Sequence, residues 1–368
     1  MTTKTKQLNL LQLIRGLATV LVVIRHATGN SIELLQKDFL FNIFAFGSSA
    51  VDIFFVLSGF IITYTSLKGG ADPKELTPFL KRRFIRIYPT YWIITSLFLG
   101  IQILLPMFYN TTYPYSAANL LSTYLLFPGH IMVNGVSWTL SYEVFFYLLF
   151  SLVFLFSNKK MIFGIFLIYT LSVITSSMFM DISEDNIWLN LVFFPMNVEF
   201  FMGVLAALVV NRIPKWSSIP LIVLGVIYFT VSVLVTDLNT LLDLHVRDRI
   251  IQFGVPSFLV ILGVVKYELT HEVRVAKVFL LLGESSYSLY LLHLPVIAAC
   301  TKLIVKFNIT NGLMIQLLLI SVIIAICWGA TIFYKLIERP VMLKLNVLMS
   351  KKKRNFSLDS RTGENPAS

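Results

Sequence analysis

Charged residues are scarce in this sequence. Asp, Glu, Lys and Arg together make up 13% of its 368 residues, about half the share of an average soluble protein. Cysteine is rarer still: Cys300 and Cys327 are the two examples, and both lie inside apolar segments. Neither a disulfide framework nor a cysteine-based metal site is therefore expected. The lack of charge argues against a disordered chain, a nucleic-acid-binding domain and an ordinary soluble enzyme.

Apolar residues dominate the composition of the sequence. They account for 57% of the chain and fall in blocks of about 20 residues, the length that crosses a hydrocarbon core ~30 Å thick. We predict an all-α, polytopic integral membrane bundle of about ten transmembrane helices. The predicted crossings are 9–28, 40–66, 90–107, 137–157, 161–180, 187–210, 217–236, 250–266, 280–305 and 313–336. Ala118–Phe127 is too short to cross, and we predict a re-entrant or interfacial helix there.

The net charge of +11 indicates orientation. With the N-terminus inside and ten crossings, 23 of the 30 Lys and Arg residues lie on the inner side and five on the outer side. Cytoplasmic loops are rich in Lys and Arg, so we expect both termini in the cytoplasm. Residues 1–345 are predicted to form one membrane domain, and 346–368 a basic, then polar, disordered cytoplasmic tail. No internal repeat is visible, which weakens the case for an inverted-repeat transporter.

The first helix carries Arg15 and His26 within an apolar segment. Ionisable groups in a membrane are costly and are functional candidates. Eleven residues correspond to about three helical turns, so both side chains lie on one face, separated by ~16–17 Å along the axis. Arg15 is placed near the inner end and His26 near the outer end. Histidine can activate a hydroxyl as a general base; the alternative is a hydrogen-bonded histidine at the interface.

A basic segment precedes the third predicted crossing, in what the hydropathy pattern indicates to be a loop. It contains Arg82, Arg83 and Arg86, followed by Tyr88. Arg83 and Arg86 are one helical turn apart, and guanidinium groups bind phosphates bidentately. These four residues are candidates for binding an anionic ligand. The alternative is simple anchoring at the inner membrane surface.

Other crossings also contain polar side chains. Glu143 is predicted at a depth similar to that of His26, where it could orient or charge-stabilise the imidazole; a structural hydrogen bond is the alternative. For Glu199 we expect structural pairing. The candidates for lining a substrate path or pore are Asp52, Ser58, Trp138, Tyr142, Tyr287 and His293. Packing and hydrogen bonding between helices are the alternative role for this set.

Five short motifs occur in order along the chain. They are Arg15-x10-His26, the stretch Phe54–Phe60, Arg83-x2-Arg86 with Tyr88-Pro89, Ser137–Leu140 with Glu143, and Ser286–Tyr290 with His293. Together on ten helices they resemble the membrane-bound acyltransferase family 3, from Leu8 to about Pro340, and the closing Glu338-Arg339-Pro340 also fits.

This resemblance implies an acetyl-CoA-dependent O-acetyltransferase of the bacterial inner membrane. The acceptor would be a hydroxyl of a surface polysaccharide or a lipid-linked sugar, and acetyl-CoA would be a co-substrate, with no metal. In the family, the histidine matching His26 is catalytic, and the arginines matching Arg15, Arg83 and Arg86 are associated with the donor. The expected partners are acetyl-CoA, the glycan and the lipid bilayer, with no nucleic acid; a homodimer is one assembly to consider.

A physical layout follows for such an enzyme. The phosphates of acetyl-CoA would bind near Arg83 and Arg86, and the pantetheine arm would thread along the first helix to His26. Tyr142, Trp138 or a backbone N–H would stabilise the oxyanion. The acceptor loops 107–117, 128–136 and 237–249 carry no recognisable code. Composition alone fits a glycan or lipid-precursor flippase equally well, and a structural partner in a glycan-assembly complex is a third possibility.

Overall fold

The computed structural model is a bundle of α-helices. It describes residues 8–66, 72–105, 116–128, 132–156, 159–180, 186–236 and 248–349, and no strand occurs among them. The all-α membrane bundle expected from the sequence is confirmed. Most of the predicted acceptor loops 107–117 and 237–249, part of 128–136 and nearly all of the tail 346–368 lie outside the described residues.

The described ranges contain thirteen α-helices up to Phe333, and helical structure continues beyond them through 339–349. The thirteen helices are α1 Asn9–Asn30, α2 Ala50–Ser66, α3 Leu76–Leu104, α4 Ala117–Leu125, α5 Trp138–Ser151, α6 Lys159–Phe179, α7 Ile187–Phe193, α8 Asn197–Val209, α9 Ser218–Val235, α10 Val255–Thr270, α11 Lys277–Glu284, α12 Ser286–Lys306 and α13 Gly312–Phe333. Within the described ranges, nine helical segments are long and apolar enough to cross a membrane, and α6 adds a further apolar helix.

The third helix begins earlier than hydropathy indicated. The basic segment around Arg83 and Arg86 was predicted as a loop, and this is wrong: it lies inside α3, which starts at Leu76. Phe79, Ile85 and Ile87 are buried in this part of the helix. The apolar face of α3 therefore extends toward its N-terminus, beyond the start of the predicted crossing at residue 90. The arginines are therefore held on a rigid element rather than on a loop.

Three other helical segments differ from single straight crossings. The segment predicted as 187–210 breaks at Pro195 between α7 and α8, and the one predicted as 280–305 breaks at Ser285 between α11 and α12. The last helical segment continues to Met349, beyond the predicted end at 336 and through the expected tail boundary. Proline restricts the residue before it and lacks an N–H, which explains the first break.

The short helix α4 packs against the middle of α3. Its nine residues span about 14 Å, which is too short to cross. Its last carbonyl groups accept hydrogen bonds of 2.8–3.0 Å from α3: Thr123 from Tyr91, Tyr124 from Trp92 and Leu125 from Tyr88. Backbone carbonyls at membrane depth need such partners. These contacts hold α4 against α3, and its re-entrant or interfacial placement stays a prediction.

Helices α2 and α8 cross with their backbones in contact. A Cβ added at Gly203 would lie 2.0 Å from the carbonyl oxygen of Val56, and one added at Gly59 would lie 1.9 Å from that of Phe200. Small residues at helix crossings allow this close approach in membranes. The crossing fixes the height and rotation of α2, which carries Asp52, Ser58 and several residues of the site described below.

We expect Gly203→Ala to destabilise the protein by about 1–3 kcal/mol, because α2 and α8 must separate to admit the methyl group. Thermal unfolding of the purified protein in detergent measures this. Gly329→Ala is the matched control, since nothing lies within 4 Å of the added Cβ there. Equal melting temperatures for the two variants would show that the crossing does not depend on glycine.

Candidate active site

A cavity opens within the bundle. Its empty volume is about 1000 Å³, a figure that includes the open solvent at its mouth. Helices α1, α2, α3, α5, α8 and α12 contribute to its walls, which are mainly apolar. Six of the predicted site residues line it: Arg15, Ser58, Arg83, Arg86, Glu143 and Tyr287. The three arginines expected to handle an anionic ligand therefore converge on one space.

Arg15 enters the cavity from the start of α1. The first turn of this helix is held by the Glu268 carboxylate, which accepts hydrogen bonds from the backbone N–H of Leu10 at 3.0 and 3.1 Å. Such capping satisfies the otherwise unpaired N–H groups of the first turn. Arg15 then donates through Nε to the Ser286 hydroxyl at 2.8 Å, which ties α1 to the first turn of α12.

Arg86 is held by a carboxylate that the sequence analysis did not select. Its Nη1 lies 3.1 Å from Oε1 of Glu338, which is fully buried and also accepts a hydrogen bond from Ser288. The guanidinium lies over the ring of Tyr287 at 5.3 Å. Glu338 stood out in the sequence only through the closing Glu-Arg-Pro motif. An acidic residue near the end of a long apolar helix was the available signal.

Arg83 lies between two aromatic rings. Its guanidinium carbon is 5.4 Å from the Phe79 ring centroid and 5.5 Å from that of Tyr147, and it donates to the Thr65 hydroxyl at 3.2 Å. No ion pair of Arg83 occurs among the described residues, and its buried Nε has no hydrogen-bond partner there. This cation is therefore free to meet an anionic ligand.

Glu143 faces the arginine side of the cavity. Its carboxylate accepts hydrogen bonds from the Tyr147 hydroxyl and, at 3.4 Å, from the Ser58 hydroxyl. Within the described part of the chain no hydrogen bond joins it to His26. The orienting contact between Glu143 and His26, one of the two roles considered for Glu143, is thus not made, because α5 places this carboxylate beside Tyr147 and Ser58.

His26 instead lies beside His293. The two ring centroids are 5.1 Å apart. His293 is fully buried, its Nδ1 lies 3.3 Å from the Leu289 carbonyl, and its Nε2 is buried with no partner in the described structure. Because Arg15 meets Ser286 and His26 meets His293, α1 and α12 run in the same direction. The arginines and the histidines therefore occupy different levels of the bundle.

The remaining predicted residues lie outside the cavity lining. Arg82 is half exposed and pairs with Glu75 at 3.6 Å. Tyr88 holds α4, as described above. Trp138 packs edge-on against Tyr142, whose ring lies 4.8 Å from that of Phe194.

Asp52 is fully buried and contacts Arg249 at 2.6 Å, just before α10. The buried Glu199 lies within electrostatic reach of Asp52. These ionisable groups hold α2, α8 and the start of α10 together away from the cavity. In the described ranges, no three His, Cys, Asp or Glu side chains are grouped so as to hold a metal ion.

Comparison with known proteins gives three findings. The family model described as "Acyltransferase domain" matches residues 8–334. The exopolysaccharide production protein ExoZ of Rhizobium meliloti (strain 1021) is 26% identical over 81% of this chain and 90% of its own length. The acyltransferase MdmB of Streptomyces mycarofaciens is 34% identical over 31% of this chain and 30% of its own length. No solved structure matches.

Proposed function

Because this chain belongs to the acyltransferase-domain family and folds as a multi-pass membrane bundle, we propose that it moves an acetyl group from acetyl-CoA to a hydroxyl of an exopolysaccharide or a lipid-linked sugar. Membership of the family makes the chain a membrane acyltransferase. The donor, the acceptor and the inner-membrane location with cytoplasmic termini are the proposal. The Rhizobium relative is named as an exopolysaccharide production protein, which supports the acceptor class, and the skewed Lys and Arg distribution supports the orientation.

The three arginines that line one cavity are the observation that carries this proposal. Coenzyme A is highly anionic and cytoplasmic, and arginine suits phosphate because its donors form a planar fork. Arg86 forms an ion pair with Glu338. Arg15 is hydrogen-bonded to a neutral hydroxyl, and Arg83 makes no ion pair among the described residues. The cavity thus keeps positive charge available for a donor. Its apolar walls suit the pantetheine arm and the acyl group.

His26 performs the chemistry in this proposal. Its imidazole takes the proton from the acceptor hydroxyl while that oxygen attacks the thioester carbonyl. The tetrahedral intermediate then collapses, the carbon–sulfur bond breaks, and the CoA thiolate leaves with the proton returned by His26. His293, whose ring lies 5.1 Å away, is a positioning residue for that imidazole. Glu143 serves the donor end by holding Tyr147 beside Arg83.

A paired substitution tests the donor site. We expect Arg83→Ala to weaken acetyl-CoA binding about ten- to a hundredfold, because a charge-assisted contact contributes about 1.5–3 kcal/mol. Arg82→Ala is the matched control, since its side chain is 51% exposed and pairs with Glu75. Calorimetric titration of acetyl-CoA into the purified proteins measures both. Equal affinities of Arg83→Ala and wild type for acetyl-CoA would show that the donor does not bind in this cavity.

A further inference from the structure

Two buried carboxyl groups lie outside the cavity. Asp52 is in the first turn of α2 and Glu199 in the first turn of α8, and both side chains are fully buried. The two carboxyl groups are within hydrogen-bonding reach of each other. Neither residue lines the cavity, so the proposed donor site does not account for them.

The cation in this group reaches only one of the two carboxyl groups. Nη2 of Arg249 lies 2.6 Å from Oδ2 of Asp52. Oδ1 of Asp52 and both carboxyl oxygens of Glu199 are buried and have no hydrogen-bond partner in the described structure. Arg25 of α1 lies within electrostatic reach of Arg249, but no arginine N–H forms a hydrogen bond with Glu199. Three buried acceptor atoms therefore lack a donor.

The backbone at Gly254 closes one side of the Glu199 carboxyl group. A Cβ added at this glycine would lie 2.7 Å from Oε1 and 2.9 Å from Cγ of Glu199. The carboxyl group is thus packed against the segment that joins Arg249 to α10. An ionised carboxylate in this position would be without a hydrogen bond and would face a second carboxylate, and both conditions disfavour its charge.

A proton supplies the donor that these atoms lack. An ionised carboxylate only accepts hydrogen bonds, whereas a protonated carboxyl group has one O–H donor. We propose that Glu199 is a buried proton-binding site, whose O–H donates a hydrogen bond to Oδ1 of Asp52 while Arg249 pairs with Oδ2. The three groups together then carry no net charge, as the interior of a membrane bundle favours. This contact joins α2, α8 and the start of α10, and it does not depend on the reaction proposed for the cavity.

Infrared spectroscopy tests the protonation state of Glu199. The C=O stretching band of a protonated carboxyl group is separate from the bands of ionised carboxylates, and a maltoside detergent contains no carbonyl group that would obscure it. Spectra of wild type, Glu199→Gln and Glu75→Gln are compared at neutral pH. Glu75 is the matched control because its side chain is 48% exposed and pairs with Arg82, and an exposed carboxyl group is ionised at neutral pH.

We expect Glu199→Gln to lose the acid band of one carboxyl group and Glu75→Gln to lose none. An acid band of equal intensity in wild type and Glu199→Gln would overturn the proposal. If the variant does not fold, wild type in which the side-chain carboxyl carbon of glutamate is isotope-labelled keeps the proposal falsifiable. The absence of any acid band that shifts with this label would show that no glutamate holds a proton.

Thermal unfolding in detergent tests the hydrogen bond from Glu199 to Asp52. Glu199→Gln should keep a melting temperature close to that of wild type, because its amide N–H can donate to Oδ1 of Asp52. Glu199→Leu should melt at a lower temperature, since this buried oxygen then has no donor. Equal melting temperatures for the glutamine and leucine variants would overturn the donation to Asp52.

Discussion

His26→Ala lowers acetyl transfer by about 10²- to 10⁴-fold, the usual contribution of a general base, and leaves the affinity for acetyl-CoA close to that of wild type. Binding persists because the three arginines line the cavity, whereas His26 lies outside its lining. A loss of turnover with retained donor affinity separates a catalytic role from a loss of fold. Turnover and calorimetric binding are measured on the same preparation.

His271→Ala is the matched control for this substitution. His271 is exposed at the end of α10, where it stacks on Tyr267 at 4.3 Å, and we expect wild-type turnover from the variant. If folded His26→Ala retained full acetylation, His26 would not be the base. The transfer would then have to use another group.

Arg249→Met destabilises the protein by about 3–5 kcal/mol, the usual result of removing one partner from a buried ion pair. The substitution leaves Asp52 and Glu199, both fully buried, without the cation that lies 2.6 Å from Asp52. Hydrocarbon around the bundle offers no water to these carboxylates. Thermal unfolding in detergent reports the loss as a lower melting temperature.

An exposed ion pair provides the comparison for this prediction. Arg82 and Glu75 are 3.6 Å apart and about half exposed, so Arg82→Met should cost no more than about 1 kcal/mol. Equal melting temperatures for Arg249→Met and Arg82→Met would contradict a structural role for the buried pair. Asp52→Asn with normal stability and reduced turnover would restore the expectation that Asp52 lines the substrate path.

The sequence predicts most of the helices and the positions of Arg15 and His26 along the first helix. A run of about 20 apolar residues has few alternatives to a membrane helix, and the eleven-residue spacing of Arg15 and His26 fixes their relation on α1. The resemblance to an acyltransferase family is confirmed by the match over residues 8–334. Such features are local, so periodicity and composition are sufficient to find them.

Contacts between helices could not be predicted in the same way. Glu338 meets Arg86, 252 residues earlier in the chain, and Glu143 turns toward Tyr147 rather than His26. Both outcomes depend on the order and rotation of helices in the bundle, which hydropathy does not specify. The early start of α3 was missed for a related reason: its arginines reduce the hydropathy of a segment whose opposite face is buried.

Transfer of a radiolabelled acetyl group from acetyl-CoA to a sugar distinguishes an acyltransferase from a flippase. Purified wild-type protein and His26→Ala are placed in lipid bilayers with labelled acetyl-CoA and the lipid-linked sugars extracted from the strain that encodes this protein. We expect label in the glycolipid and free CoA with wild type, and about a hundredth or less of either product with His26→Ala. Intact acetyl-CoA, together with movement of the unmodified lipid-linked sugar across the bilayer by wild type, would show that the protein is a flippase and not an acetyltransferase.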